Sequence, residues 1–331
     1  MLEAVFATRL AAKVNDHMTH TEHARSITNS RAVVGSADYD SQTINFPNSV
    51  GVSFFNTKLL GTFRLSLVIG GILIASGLYH LVLLWVTSAD WSGPVSLRKP
   101  GLFGVSAGMT VWSIAWIFTQ LVPRRNDRLS ASLMSVGLLL EVGLITMQQW
   151  RGVPSHFNRA TPFDATIESI MLGLILLVTV GICWLCIRSR QLLPMPESRA
   201  LSLRAGLWLT LFSCGLGFLI TIAGQINLAA GLPPETWGKA GVLKYPHGAA
   251  LHAIQALPLL SLLLQSWRVY QAAFLVRLAV EAQVLFLTFA VWQTTSGRER
   301  LDIDLTGVAV LTVAAFLIAF IGRSWPFADR S

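Results

Sequence analysis

Hydrophobic residues along this chain are gathered into eight long runs, separated by short polar segments. Each run approaches the roughly 20 residues that span the hydrocarbon core of a bilayer. A soluble helix would instead place apolar residues on one face, with a period of 3.6 residues. The pattern predicts an all-α fold, a polytopic bundle of about eight transmembrane helices. The predicted runs are Phe63–Val86, Leu102–Leu121, Leu129–Met147, Ile167–Ile187, Leu207–Leu228, Gly248–Leu264, Tyr270–Trp292 and Leu305–Ile321.

Polar segments flank this set of runs. Residues 1–57 lack a sustained apolar run and contain Gly, Ser, Asn and Thr throughout, a composition that predicts a disordered tail. Residues 58–322 form the predicted bundle, and residues 323–331 form a short tail on the cytoplasmic side.

The composition agrees with a membrane protein. The 331 residues are 53% hydrophobic and 13% charged, whereas soluble domains carry about 25% charged residues. A net charge of +8 would suggest nucleic acid as a partner for a soluble protein. The basic residues here lie mainly in short loops between apolar runs and form no nucleic-acid motif, so we expect a lipid bilayer and no nucleic acid.

The loop lysines and arginines predict the orientation of the bundle. With a cytoplasmic N-terminus, thirteen of them fall on the inner side and eight on the outer side. The positive-inside rule therefore places both termini in the cytoplasm. We expect a multi-pass protein of the cell membrane, specifically the bacterial cytoplasmic membrane. The predicted outer face also carries seven carboxylates, so its charge is nearly balanced and does not predict an anion funnel.

The sixth run contains the most unusual stretch of the chain, between Lys244 and Pro258. Pro246 fits the first turn of a helix, where its missing N–H costs nothing. Pro258 falls inside the same helix and is expected to kink it. His247 and His252 lie within this apolar segment. Because ionisable side chains are expensive at membrane depth, the stretch indicates a functional site.

Polar residues in five runs lie at a similar depth. At 1.5 Å per helical residue, His80, Glu141, Glu168, Gln225 and His252 each fall roughly 8–10 Å from the predicted outer end of their helix. We predict that these five residues form a polar belt with a common centre.

His247 and Gln255 are expected to join this belt. Of its members, Glu141 is the most demanding, because an unpaired carboxylate costs several kcal/mol in an apolar environment. It requires a proton, a partner or water. A histidine in an apolar helix is more often hydrogen-bonded to a neighbour than bound to a ligand.

Two histidines at matched depth on different helices suggest a haem b site with His80 and His252 as axial ligands. The alternative is a divalent metal held by His80, His252 and Glu141, which would activate water. The pair His247 and His252 is five residues apart, about 140° around a helix, and suits a single ion poorly. Either cofactor would make the protein a redox or metal-dependent membrane protein.

Two other functions remain open on the sequence alone. The same polar groups could line the binding site of a small-molecule transporter or permease. They could also serve helix packing in a membrane scaffold without a catalytic site. Whether the protein is an enzyme is therefore undecided by its sequence.

Two further features are predicted to be structural. Arg277 and Glu281 lie four residues apart on one helix and are expected to form an ion pair. Gly104 and Gly108 form a G-x-x-x-G motif that permits close helix approach. Packing within the bundle is the preferred interpretation of the motif, and a homo-oligomer contact is the alternative.

Overall fold

The structure, a computed structural model, describes residues 61–324. The predicted tail, residues 1–57, lies outside the described residues, as do 58–60 and 325–331. In chain order the helices are α1 (Arg64–Val86), α2 (Arg98–Gln120), α3 (Asp127–Trp150), α4 (Pro162–Arg188), α5 (Glu197–Ala229), α6 (Lys244–Leu251), α7 (Ala253–Ser266), α8 (Ala272–Thr295) and α9 (Leu305–Arg323).

Eight spans in the described part of the chain are long and apolar enough to cross a membrane. Helices α6 and α7 together form the sixth span, Lys244–Ser266. Large apolar side chains also cover the outside of the bundle, where a soluble protein would be polar. The prediction of a multi-pass helical bundle with eight spans is confirmed.

Helix α5 is longer than its hydrophobic run predicts. It starts at Glu197, ten residues before the predicted start at Leu207, and has 33 residues. Its polar first turns bind neighbouring segments, since Arg204 Nε donates to the carbonyl of Ser189 at 3.0 Å. Hydropathy marks only the part of a helix that lies in hydrocarbon, so it misses turns that continue into the interface.

The sixth span breaks at His252, and not at Pro258 as expected. Pro258 lies buried inside α7, six residues after the break. Side chains of α5 and α8 satisfy the carbonyls of the broken region: Ser213 Oγ donates to His247 O (2.8 Å), Thr210 Oγ1 to Leu251 O (3.3 Å) and Gln283 Nε2 to Ala249 O. A helix can break at membrane depth because these donors replace its internal hydrogen bonds.

Glycines bring α1 and α2 into backbone contact. A Cβ added at Gly104 would lie 2.8 Å from the Cα of Gly77, and one at Gly108 would lie 2.6 Å from the carbonyl oxygen of Gly70. Both glycines of the G-x-x-x-G motif are buried in this contact. The motif therefore serves packing within the bundle.

One end of the bundle, here called the hairpin face, carries four connecting segments: residues 87–97, 151–161, 230–243 and 296–304. Strands β1 (Thr236–Trp237) and β2 (Gly241–Val242) pair antiparallel in the third segment. The backbone N–H of Ala240 donates to the carbonyl of Gly297 at 3.1 Å, which joins the third segment to the fourth. This face corresponds to the predicted outer side.

The principal helix contacts fall into two groups, α1–α4 and α5–α9. The groups meet mainly where α4 packs on α5 and, more sparsely, where α2 touches α7. On the side away from the hairpin face, buried apolar residues fill the space between the groups, namely Ile114, Leu203, Leu207 and Ile254. The contact between α2 and α7 is therefore closed by hydrophobic packing at that depth.

Candidate functional site

The predicted polar belt divides into separate groups of contacts. His80 is 3% exposed and uses both ring nitrogens within the protein. Its Nε2 accepts a hydrogen bond from Trp150 Nε1 at 3.2 Å, and its Nδ1 donates to the carbonyl of Ser76 at 2.7 Å. Both nitrogen positions are thus occupied, and this geometry does not suit an axial ligand of haem or a metal ligand.

Glu168 and Gln225 hold the segment 151–161 in place. Glu168 Oε1 accepts from the backbone N–H of Phe157 at 3.0 Å and from Gln225 Nε2 at 3.1 Å, and Oε2 accepts from Arg159 at 2.7 Å. Glu168 therefore positions a loop, and neither of its carboxylate oxygens is left without a hydrogen bond.

Arg277 forms an ion pair with Glu197 and not, as the sequence had predicted, with Glu281. Arg277 binds Glu197 in the first turn of α5, and no ion pair joins it to Glu281 in residues 61–324. The extension of α5 beyond its apolar run brings Glu197 to this position. Both Arg277 and Glu197 are more than half exposed, so the pair contributes little to stability.

A polar stripe follows one face of α2 from the hairpin face toward the middle of the bundle. Its members are Lys99, Phe103, Ser106 and Thr110, spaced three or four residues apart. Such spacing keeps side chains on one helical face, and the stripe extends over roughly 16 Å. The aromatic ring of Phe103 lies within the stripe and gives it one apolar surface.

Residues of other elements face this polar stripe at successive depths. The ring centroids of Phe103 and His156 are 5.9 Å apart. One turn deeper, His252 Nε2 lies 3.5 Å from Ser106 Oγ. Deeper still, Gln255 Nε2 donates to Thr110 Oγ1 at 3.1 Å. The stripe thus runs along the contact between the two helix groups.

Two buried polar atoms near the polar stripe have no hydrogen-bond partner within residues 61–324. They are Glu141 Oε2 and Gln255 Oε1, and both atoms are fully buried. His252 is exposed, although it lies at membrane depth at the break between α6 and α7. Polar groups at this depth require hydrogen bonds or water, because hydrocarbon provides neither.

Glu141 meets a histidine that the sequence did not single out. Its Oε1 lies 4.0 Å from His156 Nε2, which is too long for a hydrogen bond. The Glu141 side chain is 7% exposed, so its carboxyl group needs a proton, a cation or water. The stretch from Arg151 to Asn158 is unusual in sequence, but only the fold places His156 beside Glu141.

The pKa of His156 is lowered to about 3, first by burial and then by the positive charges of Lys99 and Lys244. The imidazole is therefore neutral at physiological pH, although about a third of the side chain is exposed. The charges of Lys99, on α2, and Lys244, on α6, therefore act on His156 in the connecting segment 151–161.

His247 is held at the helix break by α5. Its Nδ1 lies 2.7 Å from the carbonyl oxygen of Ser213, whose hydroxyl in turn donates to the His247 carbonyl. Its Nε2 makes no hydrogen bond to a described residue. His247 thus joins α6 to α5 through one ring nitrogen and keeps the other available.

Two open clefts mark the hairpin face, and neither is lined by the polar stripe or the belt. One has a volume of about 370 Å³ and lies beside Asp90 and Trp150. The other has a volume of about 570 Å³ and lies beside Lys239 and Arg300. The unpaired polar atoms of Glu141 and Gln255 therefore do not lie in either of these two clefts.

No three His, Cys, Asp or Glu side chains within the described residues are grouped as metal ligands. The chain is an integral membrane protein of the multi-pass helical class, as its eight apolar spans define. No family model, curated protein or solved structure matches it. Its function must therefore be inferred from the geometry of the polar stripe and its surroundings.

Replacing His156 with glutamine is expected to flatten the acid limb of the stability profile. Because the folded pKa of His156 is about 3 and its ordinary value is 6.5, the unfolded chain binds a proton that the folded chain does not in this range. As far as it depends on His156, the free energy of unfolding is therefore highest above pH 6.5 and falls as the pH is lowered through 6.5 toward 3. Thermal unfolding in detergent between pH 4 and 7 measures this slope, and an unchanged slope in the variant would contradict the prediction.

Proposed function

We propose that this protein is a permease for a small polar solute in the bacterial cytoplasmic membrane, with the hairpin face outside. The observation that carries the proposal is the polar stripe, which meets a broken helix and then ends at buried hydrophobic residues. In this arrangement a water-filled crevice follows the polar stripe from the hairpin face to the depth of Thr110 and Gln255.

A broken helix supports transport because its backbone groups become available at membrane depth. Transporters commonly bind their substrates near discontinuous helices, between groups of helices that move relative to each other. Here the break at His252 lies beside the contact of α2 with α7, which joins the two helix groups. The apolar residues beneath Thr110 act as the closed gate of an outward-open state.

The haem hypothesis is less well supported by this geometry. His80 has both ring nitrogens engaged by Trp150 and Ser76, so haem binding would have to break two hydrogen bonds. A scaffold would explain Glu168, whose two carboxylate oxygens are paired, and Gln225, which donates to it. It does not explain the buried, unpaired oxygens of Glu141 and Gln255.

The crevice can be tested by cysteine labelling in a variant whose three native cysteines are replaced by serine. Cysteines introduced at Ser106 and Thr110 are expected to react with a charged, membrane-impermeant thiol reagent added on the hairpin side. Thiol reagents of this kind require a water-exposed thiolate. Ile170 of α4 is a matched control, since it is eight residues from the start of its helix, as Ser106 is, and faces outward.

Unreactive cysteines at both positions 106 and 110, or equal reactivity at position 170, would contradict the crevice. Transport itself is measured as uptake of labelled polar solutes into proteoliposomes. Replacing Ser106 with tryptophan fills the proposed path and is expected to abolish uptake. Uptake that persists in this variant would show that the solute follows another route.

A further inference from the structure

Positive charge is concentrated where the polar stripe begins. Lys99 lies in the first turn of α2 and Lys244 in the first turn of α6, and neither first turn contains an acidic residue. The N-terminus of a helix is itself positive, so each lysine adds to the helix dipole. Lys99 interacts electrostatically with Arg98 and Lys244 and with one carboxylate, that of Glu235.

The hairpin face is nearly neutral as a whole, but four of its carboxylates already form ion pairs. Three of them form ion pairs with other arginines: Asp164 with Arg151, Glu168 with Arg159 and Asp304 with Arg298. Glu235 binds Lys244. The ammonium group of Lys99 makes no ion pair or hydrogen bond within residues 61–324, so it is available to an anion.

A second, independent feature points into the same region. Glu141 is 6% exposed, and its Oε2 has no hydrogen-bond partner within the described residues. Its other oxygen lies 4.0 Å from His156, whose imidazole is neutral. A carboxyl group without a donor is stable here as the neutral acid, which can donate its proton to an oxygen of a ligand.

An apolar surface lies one helical turn deeper than Lys99. Phe103 is 40% exposed and its ring lies beside that of His156. Inorganic phosphate would leave these rings without a partner, whereas an organic acid places its carboxylate at Lys99 and its apolar body against the rings. A monoanion suits the site, since Glu235 already offsets one of the nearby cations.

We propose that the solute is a small organic monocarboxylate, bound with its carboxylate at Lys99 and Lys244 and its body against Phe103 and His156. That the ligand is a transported solute rests on the proposed permease function, but its binding can be measured without transport. The neutral acid of Glu141 and the hydroxyl of Ser106 then lie along the path of the ligand's polar atoms.

Binding of benzoate to the purified full-length protein tests the proposal, measured by calorimetry and by protection against thermal unfolding. Benzamide is the neutral control of the same shape, benzylamine is a cationic control of similar size, and inorganic phosphate is the other anion. Benzoate is expected to bind and to stabilise the protein, and the three controls are not. Equal binding of benzamide would overturn the proposal, and so would binding of phosphate in preference to benzoate.

Lys99→Gln is expected to weaken benzoate binding about ten- to a hundredfold, as loss of a charge-assisted hydrogen bond does. Lys99→Arg keeps the charge and is expected to retain most of the binding. Lys239→Gln removes an exposed lysine of the same face and is expected to bind benzoate normally. Unchanged binding in Lys99→Gln would contradict the inference, provided that its unfolding temperature without ligand matches that of the unmodified protein.

The outcomes separate this inference from the proposed function. Benzoate binding that depends on Lys99, without uptake of any solute, would retain the carboxylate site and reject the permease. Uptake of neutral or cationic solutes that is insensitive to Lys99→Gln would retain the permease and reject the carboxylate site.

Discussion

Asp127→Leu is expected to lower the free energy of unfolding by about 3–5 kcal/mol, the cost of leaving a buried charge without its partner. The partner is Arg188, whose side chain is 2% exposed. Arg188 Nη1 donates to Asp127 Oδ1 at 2.6 Å, and Nη2 donates to the carbonyl of Val122 at 2.6 Å. Loss of the carboxylate leaves the guanidinium charged among apolar residues.

Chemical unfolding in detergent measures this loss. Glu197→Leu is the matched control, since it breaks the exposed pair with Arg277 and is expected to cost no more than about 1 kcal/mol. The double variant Asp127→Leu/Arg188→Met removes both charges and is expected to recover most of the stability. A double variant less stable than Asp127→Leu alone would show that the charge of Arg188 is not the cause.

Gly104→Leu is expected to destabilise the protein by about 3 kcal/mol, at the upper end of the range for overpacked sites. A Cβ at this position would lie 2.8 Å from the Cα of Gly77 and 2.9 Å from the carbonyl oxygen of Leu73. Both neighbours are backbone atoms of α1, so no side-chain rotation relieves the clash. The two helices must separate and lose their close contact.

The thermal unfolding midpoint of the purified variant tests this expectation. Gly143→Leu and Gly173→Leu are controls, because a Cβ at either position meets no atom within 4 Å and both glycines are exposed. These two variants are expected to unfold near the midpoint of the unmodified protein. If the controls lost as much stability as Gly104→Leu, the close packing of α1 on α2 would not be the cause of the loss.

Local features of the chain were predictable because neighbouring residues produce them. Thr161 caps α4, where its side chain accepts from the backbone N–H of Asp164 at 3.1 Å, and Pro162 occupies the first helical position. Both features follow from the order of three residues. The spacing of Gly104 and Gly108 likewise indicated a close helix contact, but only the fold identifies α1 as the partner helix.

Features that depend on a partner from another helix were not predictable. Arg188 appears in sequence as an ordinary basic residue of an inner loop, yet it is fully buried with Asp127, 61 positions away. The break at His252 depends on donors from α5 and α8, so a proline within the segment was a misleading signal. His156 gains its importance only where its loop meets α2 and α3.

The belt illustrates the same limit at the candidate site. A similar depth was predicted for its members by counting residues along each helix. Equal depth does not fix the direction in which a side chain points. His80 and Glu168 turn to structural partners, whereas Glu141 retains an unpaired oxygen and His252 lies beside Ser106 of the polar stripe.

The sequence by itself determined that the chain forms eight membrane-spanning helices, because hydrophobic length along one segment is sufficient to specify a span. Tertiary structure alone decided which polar groups are paired and which are left over, because a hydrogen bond or ion pair requires two atoms brought within about 3 Å. Lys99, Glu141 and Gln255 are distinguished from the other polar residues of the bundle only by that packing.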